Sequence, residues 1–312
     1  MNILITRHDK IGDFITSLPL FYVVKKSNPS AKVYALVSKV NVELANQIDF
    51  IDEVILYDES HFWQTLKSIK SENINTSISA FIDTRLGWLL FLSGIKKRIA
   101  PATKLAQLFF NKTLKQKRSL VEKTEIEYNL DLARLLDRGI DLSYQVPLLK
   151  LNNLQQFRNS NQLENKKLVL FHPGYGGSSD GNLKLEDYIK LSNSIRQLDN
   201  IQIVWVFGPD DLIAKNKIKD MIPDLDIIHH PSTLLDYCFL IRDSELFIST
   251  STGPMHLAGA LNIKTVSFFG NNLFASPKRW ATVSNLENQH NFLINSSLDI
   301  DIVRGVVVNM LQ

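Results

Sequence analysis

The chain has one cysteine, Cys238, so no internal disulfide can form and a reducing compartment suits it. Cys238 falls in the apolar, helix-like run Leu234-Leu235-Asp236-Tyr237-Cys238-Phe239-Leu240, where a buried structural thiol is expected. Long apolar runs are missing too. None reaches the roughly 20 residues of a membrane-spanning helix. The first residues, Asn2-Ile3-Leu4-Ile5, already read as a strand, so no signal peptide is expected and the location is read as cytoplasmic. A net charge of +3 is too small to argue for nucleic acid, and no such partner is expected. No G-x-G-x-x-G follows the first strand and no G-x-x-x-x-G-K-[ST] occurs, which weakens nicotinamide-dinucleotide and P-loop readings. Asp224-Leu225-Asp226 and Asp299-Ile300-Asp301 have D-x-D spacing only by short-range coincidence, and nothing has the ligand spacing of a zinc site. Neither a metal nor a cofactor is expected.

What is present is an alternation of strand and helix patterns, run through twice. Ile3–Thr6 reads as a strand, Phe14–Ser27 as a helix, Lys32–Val37 as a strand, Glu53–Tyr57 as a strand and Ile78–Ile82 as another. Such alternation predicts crossover connections and a parallel sheet covered on both faces. After Pro147 the chain turns polar, with repeated Asn and Gln, and residues 151–167 read as a linker. The alternation restarts at Leu168. The expected architecture is therefore α/β, with a Rossmann-like N-terminal domain over 1–150 and a second over 168–312. A return of the last helix to the N-terminal domain is left open. Two doubly wound halves imply a cleft, with ligands at the carboxyl ends of strands.

The most informative stretch is Ser249-Thr250-Ser251-Thr252-Gly253-Pro254-Met255-His256, where a buried strand ends and a helix begins. Unpaired N–H groups and the helix dipole favour an anion there, and a nucleotide diphosphate is the expected one. His256, one turn in, either reaches those phosphates or is structural. A second strand end, His172-Pro173-Gly174-Tyr175-Gly176-Gly177-Ser178, offers glycines for close backbone approach and a hydroxyl, or else forms a plain surface loop. Asp210 and Asp211 close a third, suited to ribose hydroxyls or to capping the next helix. In the first half, Arg7-His8-Asp9-Lys10-Ile11-Gly12-Asp13 ends the first strand. Asp13 reads either as a helix N-cap or as a general base. Arg7 and Lys10 could meet an anionic acceptor, or form a solvated turn.

Acidic residues are missing between Thr84 and Val121, while Arg85, Lys96, Lys97, Arg98, Lys104, Lys112, Lys115, Lys117 and Arg118 all occur. Interleaved with Trp88-Leu89-Leu90-Phe91-Leu92 and Leu105, Leu108, Phe109, they suit an anionic amphiphile or membrane surface, with Arg98 among the acceptor candidates. The bland alternative is an irregular solvated face.

Four blocks together resemble glycosyltransferase family 9, the lipopolysaccharide heptosyltransferases. They are Arg7 through Pro19 (R-x-x-x-I-G-D-x-I-x-S-L-P), His172-Pro173-Gly174, Ser251 through Ala258, and Phe268-Phe269-Gly270 with Ser276-Pro277-Lys278-Arg279-Trp280. The resemblance implies a GT-B fold, two Rossmann-like domains with acceptor on the N-terminal side and ADP-sugar on the C-terminal side. It also implies inverting, metal-independent transfer of a sugar, heptose by preference, from an ADP-sugar to a lipopolysaccharide-core or similar anionic glycolipid. Asp13 would be the catalytic base, and Thr252, Gly253 and His256 would lie around the ADP phosphates. Peripheral contact with the inner face of the cytoplasmic membrane would follow from such an acceptor. Two positions depart from the family pattern. Ser251 stands where an Asp is usual before Thr-Gly, and Lys184 is only a stand-in for a Lys before Trp-Pro. A sugar-nucleotide epimerase and a non-catalytic sugar-nucleotide sensor are the rival expectations.

Overall fold

The computed structural model describes residues 1–103, 105–152, 156–174, 181–295 and 298–312. Its contacts divide at Lys150/Leu151 into two units. The first contains β1 (Asn2–Arg7), α1 (Ile11–Ser27), β2 (Lys32–Ser38), α2 (Lys39–Ala45), β3 (Glu53–Tyr57), α3 (Phe62–Ser71), β4 (Thr76–Ser79), α4 (Thr84–Leu92), β5 (Lys97–Pro101), β6 (Lys112–Leu114) and α5 (Glu125–Asp131). The second contains α6 (Gln156–Asn161), β7 (Lys167–His172), α7 (Leu185–Ile195), β8 (Ile201–Val206), α8 (Leu212–Lys219), β9 (Ile227–His229) and α9 (Leu234–Arg242). It continues with β10 (Leu246–Thr250), α10 (Gly253–Ala260), β11 (Lys264–Phe269), α11 (Pro277–Trp280), β12 (Gln289–Leu293) and α12 (Ile300–Leu311).

All strand pairs are parallel. The first sheet is ordered β3-β2-β1-β4-β5-β6 and the second β12-β11-β10-β7-β8-β9, the same winding with β7 in the place of β1. Each unit is therefore a doubly wound Rossmann-type sheet. Its winding reverses between β1 and β4 in one unit and between β7 and β10 in the other, and ligands in such sheets bind beyond the carboxyl ends of those strands. The central strands are apolar throughout because helices cover both their faces. Ile3, Leu4 and Ile5 are fully buried, as are Val169, Leu170 and Phe171. Helix α1 is buried almost all round, from Phe14 to Phe21 and at Val23 and Val24, which accounts for its lack of a polar face.

Several boundaries differ from the sequence reading. α1 starts at Ile11, with Lys10 in extended backbone as its N-cap, so Asp13 lies in the first helical turn and is not the cap. β4 spans Thr76–Ser79 and ends before the apolar Ala80-Phe81-Ile82. The described residues of 151–167, read as a linker, fall within the second unit. Leu151 and Leu163 are buried, and Arg158 donates from Nη2 to the Asp243 carbonyl at 2.6 Å. The last helix also packs there: Val303, Val307, Met310 and Leu311 belong to the second unit's core. Lys167 and Lys264 donate to the carbonyls of Leu311 and Met310 at 2.7 and 2.6 Å, cations at a helix C-terminus. Among the described residues no helix is long and apolar enough to cross a membrane.

Candidate active site

In the first unit the site grows from the end of β1. Arg7 is the last residue of that strand, and its side chain is only 3% exposed. A guanidinium that deep needs anionic partners. Its Nε donates to Asp9 Oδ1 at 2.8 Å, its Nη2 to Asp13, and its Nη1 to Glu125 Oε1 at 3.3 Å and Asn129 Oδ1 at 3.4 Å. Burial opposes the charge of Arg7, yet Asp9, Asp13 and Glu125 together hold its pKa above the ordinary value. For Asp13 burial wins. It pushes the carboxyl up from 3.8 to about 6; Arg7 pulls it down, and the charges of Asp9 and Glu125 add to the rise. The result is a carboxyl in the range of a working general base, at the winding reversal of its sheet. His8 Nε2 pairs with Asp83 Oδ2 at 2.8 Å at the same strand ends, the ring packed 4.3 Å from that of Tyr57.

In the second unit β10 gives way to α10 through Ser251 and Thr252. Thr252, the N-cap, makes no side-chain cap; its hydroxyl donates to the Thr250 carbonyl at 3.4 Å. Pro254 occupies the first turn, where its missing N–H is no loss. Gly253 and Pro254 are part-exposed, while Met255 and His256 are buried. His256 is 4% exposed, its Nδ1 has no partner, and the ring lies edge-on to Trp280 at 6.2 Å. Burial pushes its pKa down to about 4, so the imidazole is neutral near pH 7. It can serve a diphosphate as a hydrogen-bond donor, not as a cation. The block Ser276–Trp280 thus enters the site through Trp280, behind which Arg279 stacks over the Phe274 ring at 3.7 Å.

At the end of β7, His172 Nδ1 donates to the Val206 carbonyl at 3.0 Å, and burial holds the ring below its ordinary pKa. Its Nε2 stands 3.9 Å from the buried Asp211 carboxylate, which accepts from the Gly208 N–H at 2.8 Å. A Cβ at Gly174 would collide with that carboxylate, so glycine is required there by contact. Of the neighbouring acids it is Asp211 that turns inward, whereas Asp210 is exposed. Gly176, Gly177, Ser178 and Lys104 lie outside the described residues. Gly181, where the description resumes, sits so close to Gly270 that a Cβ would stand 2.7 Å from its Cα.

The acceptor candidates separate. Arg7 is the buried hub described above and Lys10 is exposed at the N-cap of α1. Arg98 is turned inward: its Nε donates to the Phe109 carbonyl at 2.7 Å and its Nη1 to that of Ile95, with the guanidinium over Phe91. It braces β5 against the following turn. Glu125, absent from the sequence reading, is 1% exposed and also accepts from Arg118 Nη1 at 2.5 Å. Ser251 carries no carboxylate to the end of β10, and its N–H bonds the Phe268 carbonyl at 2.9 Å. Lys184 is exposed at the start of α7. Among the described residues no three or more His, Cys, Asp or Glu side chains are grouped to hold a metal.

Comparison with known proteins agrees with this geometry. A glycosyltransferase of Haemophilus influenzae is 34% identical over 301 residues, covering 91% of this chain and 87% of the relative. Lipooligosaccharide heptosyltransferase 2 of Campylobacter jejuni is 22% identical over 275 residues, 86% of this chain and 81% of the relative. The solved structure of E. coli ADP-heptose lps heptosyltransferase II superposes with a TM-score of 0.83 at 16% identity, over 100% of this chain and 98% of that one, which shows the shared GT-B fold. Residues 63–299 match the model of glycosyltransferase family 9 (heptosyltransferase). On the family-model match over residues 63–299 and the 34% identity to the Haemophilus relative across most of the chain, this chain belongs to glycosyltransferase family 9.

Proposed function

We propose that this glycosyltransferase moves a heptosyl unit from ADP-heptose to a lipopolysaccharide-core glycolipid, with inversion and without a divalent metal. The observation that carries the reading is a part-buried carboxyl, Asp13, raised to about 6 by desolvation and paired with Arg7 of the β1 end. Asp13 takes the proton of the acceptor hydroxyl as that oxygen bonds the anomeric carbon. The anomeric carbon–oxygen bond breaks, and ADP leaves with the electron pair. The N–H groups that open α10 and the neutral imidazole of His256 meet the developing diphosphate charge, as fixed dipoles do at low cost of reorganisation. The names of the E. coli and Campylobacter relatives support heptose and a lipooligosaccharide-type acceptor, and the E. coli relative's name supports ADP.

A peripheral membrane contact goes with a lipid-borne acceptor. It is supported by α4 and the turn after β5, where Trp88, Phe91, Leu105 and Leu108 are 47, 51, 80 and 80% exposed. The rings of Trp88 and Phe91 meet that of Phe109 at 5.0 and 6.3 Å, and Lys96, Lys112, Lys115 and Lys117 are exposed in the same acid-free stretch of sequence. Aromatic and leucine side chains with lysines suit the interface of an anionic bilayer.

The chain incubated with ADP-heptose and a heptose-deficient core glycolipid should release ADP and add one heptosyl mass to the acceptor, with opposite anomeric configuration and an unchanged rate in excess EDTA. A chelator-sensitive rate would remove the metal-free mechanism. Tight binding of UDP- or GDP-sugars with none of ADP-heptose would remove the donor. Conversion of the nucleotide-sugar without acceptor would favour an epimerase; binding with no ADP release would favour a sensor.

A further inference from the structure

The environment of Arg7 carries an inference about a residue 112 positions from Asp13. Arg7 faces three carboxylates, and each takes a different edge of the guanidinium: Asp9 at Nε, Asp13 at Nη2 and Glu125 at Nη1. Asp9 and Asp13 belong to the same turn and helix start and move with it. Glu125 comes from α5, and it is the most deeply buried of the three, its side chain 1% exposed against 21% for Asp9 and 19% for Asp13. Its placement is built with care. Thr124 and Glu127 form a capping box that fixes the first turn of α5, in which Glu125 sits. Asn129, one turn on, bonds Arg7 and also donates to the Thr16 carbonyl of α1 at 3.2 Å, locking α5 to the helix that carries Asp13. Arg118 holds Glu125 Oε1 from the far side at 2.5 Å and is itself oriented by Gln116, whose Oε1 accepts from Arg118 Nε at 3.0 Å.

We propose that Glu125 is a positioning residue for the transfer reaction: its Oε1 holds the Nη1 edge of Arg7 so that Nη2 is aimed at the Asp13 carboxylate, and its charge tempers the hold of Arg7 on that base. It acts through Arg7 and touches neither substrate. The inference rests on the reading of Asp13 as the base. The charged groups facing Asp13 are Arg7 from β1, Asp9 from the β1–α1 turn and Glu125 from α5, with Arg118 behind Glu125. Of these, Glu125 is the one that can be altered without disturbing the turn bearing Asp13.

The test is the pH dependence of kcat/KM for transfer by the full chain and its Glu125→Gln variant. Glutamine removes the charge and keeps one oxygen to accept from both arginines, while an NH2 donor replaces the second oxygen. With that negative charge gone Asp13 ionises more easily, so the acidic limb should move down by about half a unit to one unit. A weaker base also transfers more slowly, so the plateau should fall by about two- to tenfold, with the KM for nucleotide-sugar unchanged. A purely structural role would lower the plateau or the melting temperature and leave the limb in place, and that result would overturn the proposal. Should Glu125→Gln not fold, Glu125→Asp keeps the charge but withdraws the oxygen. It should hold the limb and lose kcat about tenfold, and parental kcat in that variant would overturn the proposal equally. Asp13→Asn, run beside them, separates the two claims. If it retains both rate and limb, the base assignment itself has failed, whatever Glu125 does.

Discussion

At the scale of single residues, burial sets the chemistry more than charge pairing does. Asp13 touches a guanidinium and is still raised to about 6, because three carboxylates share Arg7 in a desolvated corner. A base must be ionised to act, so kcat/KM should rise about tenfold per pH unit up to about 6 and level off above it. The stability linkage runs the opposite way. A carboxyl whose folded pKa exceeds its ordinary 3.8 contributes stability that is fully present below that value and lost as pH rises through about 6. Asp13→Asn should therefore gain thermal stability relative to the parent as pH rises from about 5 to about 7. Melting curves across that window read it, and a gap that narrows with pH would contradict it. The sites at strand ends were legible at this scale, since Arg7, Asp13, Thr252 and His256 sit where a strand becomes a helix. Glu125 and Asn129 were not. A Glu and an Asn on a short helix read as solvent-facing, and only the fold brings them against β1, 118 and 122 positions away from Arg7. Arg98, a cation in a basic run, bonds backbone carbonyls through Nε and Nη1, a placement that spacing alone does not predict.

Among elements, the central strands and buried helices were readable because continuous apolar runs have few alternatives. The edges were not. β6 has three residues, and β12 reads Gln-His-Asn-Phe-Leu and is only partly buried, so neither carries an apolar run that marks a strand. Helix α1 begins three residues before the sequence pattern predicts, because Lys10-Ile11-Gly12 has no cap residue and the chain enters the helix from extended backbone at Lys10. The end of β7 makes its own prediction. Gly174 lies against the buried Asp211 carboxylate, which is fixed by the Gly208 N–H. Gly174→Ala should cost about 1–3 kcal/mol of unfolding free energy by overpacking. The double variant Gly174→Ala with Asp211→Ala should recover part of that loss, because the clash is removed with its partner. Denaturant melts decide the matter, and additive losses would contradict a direct contact.

For the whole molecule, two six-stranded sheets with the same winding give each unit a core and a winding reversal of its own. The first unit adds the apolar and basic surface at α4. The intact chain should cosediment with anionic vesicles and far less with zwitterionic ones, through a salt-sensitive attraction. Trp88→Ser with Leu108→Ser should reduce that binding about 100-fold or more, since each of these exposed side chains contributes roughly 1.5–3 kcal/mol when it enters the bilayer. Vesicle binding unaffected by charge or by these substitutions would remove the surface from the account. The central claim, that the part-buried Asp13 carboxylate in the first turn of α1 drives glycosyl transfer, is tested most directly by single-turnover ADP release from ADP-heptose in the presence of glycolipid acceptor. For Asp13→Asn the account predicts a rate lower by about 10²–10⁴-fold with the affinity for ADP-heptose unchanged; transfer by that variant at the parental rate would contradict it.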